Sequence, residues 1–120
     1  MSGPAHYCFS VFEACAETGE LRRQGLRVKL HSKPFTALLA LLERPGAIIT
    51  RQELQQRLWP GHSFVDYDNS LNNVIGRLRQ ALRDSPYAPR FVETVPHRGY
   101  RFLAPVRAQT GAAAAAGAAR

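Results

Sequence analysis

A chain of 120 residues and 13.3 kDa supplies one compact domain with a tail and is too short for two independent cores. Its 45% hydrophobic, 21% charged and 9% aromatic residues exclude wholesale disorder. No apolar run approaches the roughly 20 residues that span a bilayer, and Met1 to Tyr7 lack the basic-then-apolar order of a signal peptide, so the expectation is a cytoplasmic chain without membrane contact.

The formal charge is +7 with a pI near 10.3, and it is unevenly spread. Residues 1–20 carry Glu13, Glu17 and Glu20 without a single Lys or Arg, whereas residues 69–107 carry seven Arg against Asp84 and Glu93. Arg makes up 14 of the 16 basic residues, and its planar fork suits phosphates and base edges. A basic C-terminal half of this kind points to nucleic acid. Cys8 and Cys15, seven apart, fit no zinc-ligand spacing. They read as buried reduced thiols, with no metal site expected.

From His6 to Leu30, short apolar and β-branched runs alternate with the turn signals Thr18-Gly19 and Gln24-Gly25. Leu26, Val28 and Leu30 alternate with Arg27 and Lys29, the period of a half-buried strand, and the whole segment reads as a small antiparallel sheet. A first helix follows. Ser32 can cap it, Pro34 is tolerated in its first turn, and Phe35, Leu38, Leu39 and Leu42 form a stripe that ends at Arg44-Pro45-Gly46. Ile48 and Ile49 are extended. Thr50 and Glu53 then make a capping box for a second helix running to about Trp59, with Leu54 and Leu58 as its narrow seam and Pro60-Gly61 as its stop.

After a loop from His62 to Tyr67, Asp68 caps a third helix over 69–83, where Leu71, Val74, Ile75, Leu78 and Leu82 recur at three- and four-residue steps. At about 100° per residue, Asn69, Asn73, Arg77 and Gln80 face away from that stripe; Asn72, Arg79 and Arg83 lie on one flank and Ser70 on the other. No acid occurs between residues 69 and 83, and Gly76 leaves a low spot where another surface can approach. At roughly 1.5 Å per residue the helix is about 22 Å long, enough to lie in a major groove about 12 Å wide. Two β-like runs, Phe91–Val95 and Tyr100–Ala104, then flank Pro96-His97-Arg98-Gly99 as a hairpin with a basic tip. From Gln109 to Arg120 the chain is almost entirely Ala and Gly, readable as a frayed helix, a linker or a chain end, and no function is assigned to it.

Sheet, helix, helix, turn, polar-faced helix and basic hairpin is the order of a winged helix-turn-helix, an α+β fold that puts one helix in the major groove and its hairpin against the backbone or minor groove. Particular residues also carry a family likeness. Leu38-Leu39 with Pro45-Gly46, Thr50-Arg51 with Glu53-Leu54, Leu58-Trp59-Pro60, Arg77-Leu78-Arg79 with Ala81-Leu82, and the hairpin from Glu93-Thr94-Val95 to Gly99-Tyr100-Arg101-Phe102 resemble the OmpR/PhoB-type winged-helix domain. The loop Phe64-Val65-Asp66 and the wing from Pro96 to Phe102 are most similar to CadC-type regulators, which carry this domain without a receiver.

That resemblance implies an N-terminal four-stranded sheet, three helices and a C-terminal wing, with a tail at 1–6, the DNA-binding domain at 7–105 and an Ala/Gly-rich tail or linker at 106–120. It implies the output domain of a bacterial transcriptional regulator, binding double-stranded DNA, with no catalysis and no cofactor. The isolated domain is expected to be monomeric and to pair on tandem half-sites, and the loop 60–67 to contact RNA polymerase. By position, base reading falls on Asn72, Asn73 and Arg77, and phosphate contact on Arg51, Trp59, Asn69, Ser70, Arg79 and Tyr100. The wing residues are His97 and Arg98; Pro96 stands where many members have Arg.

Other readings stay open beside these. Trp59 is more often a packing residue than a ligand, Arg101 reads also as a cover for the wing, His97 as a solvated turn residue, and His31 and His62 as surface groups. Asp66 and Asp68 have no His, Cys or Ser partner at motif spacing, which speaks against an enzyme. A winged helix used chiefly to bind protein is the alternative to DNA binding, and a metal or redox sensor using Cys8 and Cys15 is the third class.

Overall fold

The computed structural model describes residues 6–61 and 68–109; the side chains of Asp68 and Gln109 are outside that description. The chain opens with an antiparallel meander of β1 (His6–Phe9), β2 (Phe12–Cys15), β3 (Glu20–Arg23) and β4 (Leu26–Val28). Period-2 burial drives it: Tyr7, Phe9, Phe12, Ala14 and Leu21 are buried, while the intervening residues face outward. Gln24 and Gly25 both have positive φ, 52° and 84°, the signature of a type I′ hairpin turn whose twist matches its strands.

Two details differ from expectation here. Leu26, at the turn end of the edge strand and opposite Arg23, is 76% exposed, although Val28 and Leu30 do pack against the core. Cys8 and Cys15 are free and only half-buried, since both belong to the outward set of their strands.

The helices are α1 (Ser32–Glu43), α2 (Arg51–Leu58) and α3 (Asp68–Leu82). Ser32 is the first helical residue of α1 rather than its cap; the N-cap is His31, which makes no side-chain capping bond. Ala37, Ala40 and Leu41 are buried along with Phe35, Leu38 and Leu42, so α1 is apolar over more of its circumference than one stripe. It is the central helix, packed against α2, α3 and the wing. The capping box of α2 forms as its sequence requires: Thr50 Oγ1 accepts from Glu53 N at 3.0 Å and Glu53 Oε1 accepts from Thr50 N at 3.1 Å. Leu54 and Leu58 are its buried seam.

The second sheet has the order β5 (Ile48–Thr50), β7 (Gly99–Phe102), β6 (Val92–Val95), so the stretch between α1 and α2 pairs with the return strand of the wing. Phe9 and Phe12 of the N-terminal sheet meet Phe91 and Phe102 of the wing, with ring centroids 5.1 to 5.8 Å apart in edge-on pairs, which locks the two sheets together. The N-terminal sheet is larger than expected. A last strand, β8 (Arg107–Gln109), pairs with β1 and gives five strands in the order β4-β3-β2-β1-β8. His6 and residues 107–109, assigned from sequence to the tails, thus lie within the sheet.

Candidate nucleic-acid interface

The stripe Leu71, Val74, Ile75, Leu78 and Leu82 of α3 is buried, and this fixes what the helix shows to solvent. Asn69, Asn72, Asn73, Gly76, Arg77, Gln80 and Arg83 are exposed and Ser70 is half-buried. A Cβ at Gly76 would meet nothing within 4 Å, so packing does not demand glycine there and the low spot is open to an approaching surface.

Three expected contact residues converge from three elements. Arg51, at the start of α2, donates from Nη1 to Tyr100 Oη of β7 at 2.7 Å and from Nη2 to Asn72 Oδ1 of α3 at 3.1 Å. Tyr100 Oη is also 3.5 Å from Asn72 Oδ1, and the guanidinium lies 5.8 Å from the Tyr100 ring centroid. Asn72 is thereby held with its carbonyl oxygen inward. Asn73 and Arg77 are outside this cluster.

Arg79 is turned toward the wing. Its Nη2 donates to Val92 O at 3.0 Å and to Thr94 Oγ1 at 2.8 Å, while its buried Nε has no partner among the described residues. The helix ends in a left-handed residue, Arg83 at φ 56°, with Arg83 N bonded to Gln80 O and Asp84 N to Arg79 O, the two bonds of a Schellman motif. Asp84 then accepts from Arg90 N at 2.7 Å, Phe91 N at 3.1 Å and Val92 N at 2.9 Å, tying the entry of the wing to the end of α3. Burial pushes its carboxyl up, but the amides of Arg90, Val92, Phe91 and Ser85 outweigh that and hold it below the ordinary carboxylate range. No sequence signal had singled out Asp84; an acid just past a helix end and before Ser85-Pro86 is the only hint.

At the wing tip, Arg98 N bonds Val95 O at 3.0 Å. Pro96 follows Val95 and His97 has φ 64°, a Pro at the second place and a positive φ at the third, as in a type II turn. Proline at 96 therefore shapes the turn that presents Arg98, and Pro96, His97 and Arg98 are all exposed. Behind them, Glu93 and Arg101 face each other across the hairpin at 2.8 and 2.6 Å, so Arg101 covers the wing. An open cleft of about 610 Å³ runs between the tip and α2, lined by Thr50, Arg51, Gln52, His97 and Arg98 among others. Trp59, at the other end of α2, is half-buried against the core with Lys33 Nζ 5.4 Å above its ring, while Lys33 also donates to Leu58 O. The loop 62–67, with His62, Phe64, Val65 and Asp66, lies outside the described residues, as does the side chain of Asp68.

A family model, "Transcriptional regulatory protein, C terminal", matches residues 25–102, from β4 through the wing. The chain belongs to this family. Within it, the "Cholera toxin homolog transcriptional activator" of Vibrio parahaemolyticus is 43% identical over 79 residues, 66% of this chain and 27% of that protein. "Regulatory protein VirG" of Agrobacterium tumefaciens is 36% identical over 92 residues, 77% of this chain and 34% of that protein. The chain thus spans about a quarter to a third of the length of these transcriptional-regulator relatives.

Solved structures agree. DrrB of Thermotoga maritima, an OmpR/PhoB homolog, has a TM-score of 0.73 at 31% identity over 82% of this chain and 44% of its own. The RstA DNA-binding domain of Klebsiella pneumoniae, solved with the RstA box, has a TM-score of 0.73 at 26% identity over 82% and 96% of the two chains. The DNA-binding domain of Escherichia coli CadC shares the fold, with a TM-score of 0.73 at 22% identity over 89% and 99%. The fold of this family member is the winged helix of the OmpR/PhoB type.

Proposed function

We propose that this domain binds double-stranded DNA with sequence specificity as the output part of a bacterial transcriptional regulator, without catalysis or cofactor and in the cytoplasm. The observation that carries the reading is the polar side of α3, which has no acid from residue 69 to 82 and exposes Asn69, Asn72, Asn73, Arg77 and Gln80, together with the exposed His97 and Arg98 of the wing tip, which share a cleft with the start of α2. It sits on a fold shared with the RstA domain, which was solved with its DNA box.

In this reading α3 enters the major groove, and the binding unit expected at 7–105 extends from β1 at His6 to β8 at Arg107–Gln109. Arg77 forks onto guanine O6 and N7. Asn72 has its oxygen engaged by Arg51, so its amide nitrogen is the group offered to DNA; it reads an acceptor such as a purine N7, guanine O6 or thymine O4. Asn73 keeps both amide functions and suits adenine N6 and N7. Backbone contacts fall to Asn69, Ser70, Trp59 and the Arg51–Tyr100 pair, with Arg79 adding its charge from within its brace to the wing. Arg98, with His97 beside it, approaches the backbone or minor groove. The domain is monomeric alone and pairs on tandem half-sites about one helical turn apart, and the loop 60–67 faces RNA polymerase.

Selection of bound sites from a random duplex pool, followed by titration at several salt concentrations, tests this. Neutralising about five phosphates gives a log–log salt slope near −4 to −5 on the selected site. A slope near zero, or a pool that never enriches, refutes the reading.

A further inference from the structure

The outward face of the N-terminal sheet carries a cluster that DNA binding does not use. In the β1–β2 register His6 lies opposite Cys15 and Cys8 lies opposite Glu13, so four donor-bearing residues occupy the corners of one cross-strand patch. Three of them point their donor atoms together: His6 Nε2 is 3.5 Å from Glu13 Oε2, Cys8 Sγ is 4.0 Å from the same oxygen, and all three lie within 4.8 Å of one another.

Zinc takes histidine nitrogen and carboxylate oxygen at about 2.0–2.2 Å and thiolate at about 2.3 Å in a tetrahedron, which places neighbouring ligand atoms about 3.3–3.7 Å apart. The His6–Glu13 pair already has that spacing; the thiol must close by a few tenths of an ångström toward Glu13 and by up to about an ångström toward His6, within reach of a rotation about the exposed Glu13 and half-buried Cys8 side chains. We propose that His6, Cys8 and Glu13 bind one zinc-type divalent cation, a thiolate–imidazole–carboxylate site with its fourth position open to water.

A thiolate and a carboxylate neutralise the ion, and Arg107, opposite Cys8 on β8, is left as an exposed neighbour outside the donor set. The site clamps β1 to β2 from the solvent side, opposite the Tyr7, Phe9, Phe12 and Ala14 layer that packs into the core. The zinc patterns of sequence analysis look for ligands closely spaced along the chain; here the spacing is set by strand pairing, which is why Cys8 and Cys15 gave no such pattern.

The reduced 120-residue chain, titrated with Co²⁺ and then Zn²⁺, is expected to bind one ion per chain, with a thiolate-to-cobalt charge-transfer band that zinc removes and a thermal midpoint raised by saturating zinc. Cys8→Ser abolishes the band. Glu13→Gln weakens the affinity at least tenfold, since even changes beyond the ligands cost about 10–100-fold. Cys15→Ser leaves both band and affinity in place. Metal-free melts of each variant at the wild-type temperature establish that folding is not what was lost. No charge-transfer band, a band that survives Cys8→Ser, or one removed by Cys15→Ser overturns the assignment.

Discussion

Arg77 is exposed on the acid-free side of α3, whereas Arg79, two residues on, donates to Val92 O and Thr94 Oγ1 of the wing. Arg77→Ala is therefore expected to leave thermal stability nearly unchanged and to cost about 1–3 kcal/mol on the selected duplex, with much less lost on unrelated DNA, because a forked guanine contact exists only on the right sequence. Equal losses on matched and scrambled duplexes would make Arg77 a phosphate contact instead. Asp84 works through folding. Its folded pKa is depressed below the ordinary carboxylate value, so its contribution is present above the unfolded pKa of about 3.9 and is lost as pH falls through the lower folded value. Asp84→Asn, which sets an N–H₂ group against a ring of amide donors, is expected to cost about 1.5–3 kcal/mol at neutral pH. In denaturant titrations at a series of pH values, the gap between the two proteins closes as the wild-type carboxyl protonates in acid. A gap that stays constant into acid would show that Asp84 acts by shape alone.

Among the elements, the wing depends on one glycine. Gly99 pairs with Thr50 in the β5–β7 ladder, and a Cβ there would overlap Ile49 O and come within 2.8 Å of Thr50 Cα. Those are backbone atoms, which cannot swing aside as a side-chain end does. Gly99→Ala is expected to destabilise by about 3 kcal/mol through overpacking and backbone strain, and to weaken DNA binding even at temperatures where α3 stays folded. An unchanged melt would mean that β5 and β7 part at little cost. The helices were legible from sequence because their signals are local: three- and four-residue apolar steps for α3, a Thr50–Glu53 capping box for α2. What escaped depends on residues brought together only by the fold. Helical spacing sets Arg77 on the outer face and Arg79 on a flank, but the bonds to Val92 and Thr94 that make Arg79 a brace follow only from the packing of β6 beside α3. Asn72, Arg51 and Tyr100 were named separately, while their shared hydrogen bonds, and hence the outward amide nitrogen of Asn72, follow from three elements meeting. The His6, Cys8 and Glu13 cluster likewise exists only once β1 and β2 are in register.

At the scale of the whole molecule, the two ends of the domain close on each other. β1 is covered on one edge by β2 and on the other by β8, so three residue pairs, His6–Gln109, Tyr7–Ala108 and Cys8–Arg107, seal a strand that would otherwise be an edge. Val106 packs partly against the core just before that strand. The short run Val106-Arg107-Ala108-Gln109 has a weak strand signal of its own; its pairing is supplied by a neighbour about a hundred residues earlier in the sequence, a distance over which loop closure costs only slowly more. A chain ending at Pro105 should therefore lose about 1–3 kcal/mol relative to one ending at Gln109, from the lost ladder bonds and the apolar contact of Val106. At about 4–8 °C per kcal/mol for a domain of this size, that is a readily measured shift in thermal midpoint. With β1 uncovered, the shorter chain should also associate at high concentration in sedimentation, while a chain ending at Gln109 matches the full 120 residues in both assays. Equal midpoints for the two truncations would mean that β8 rests on the sheet without stabilising it, and that the folded unit ends before residue 106.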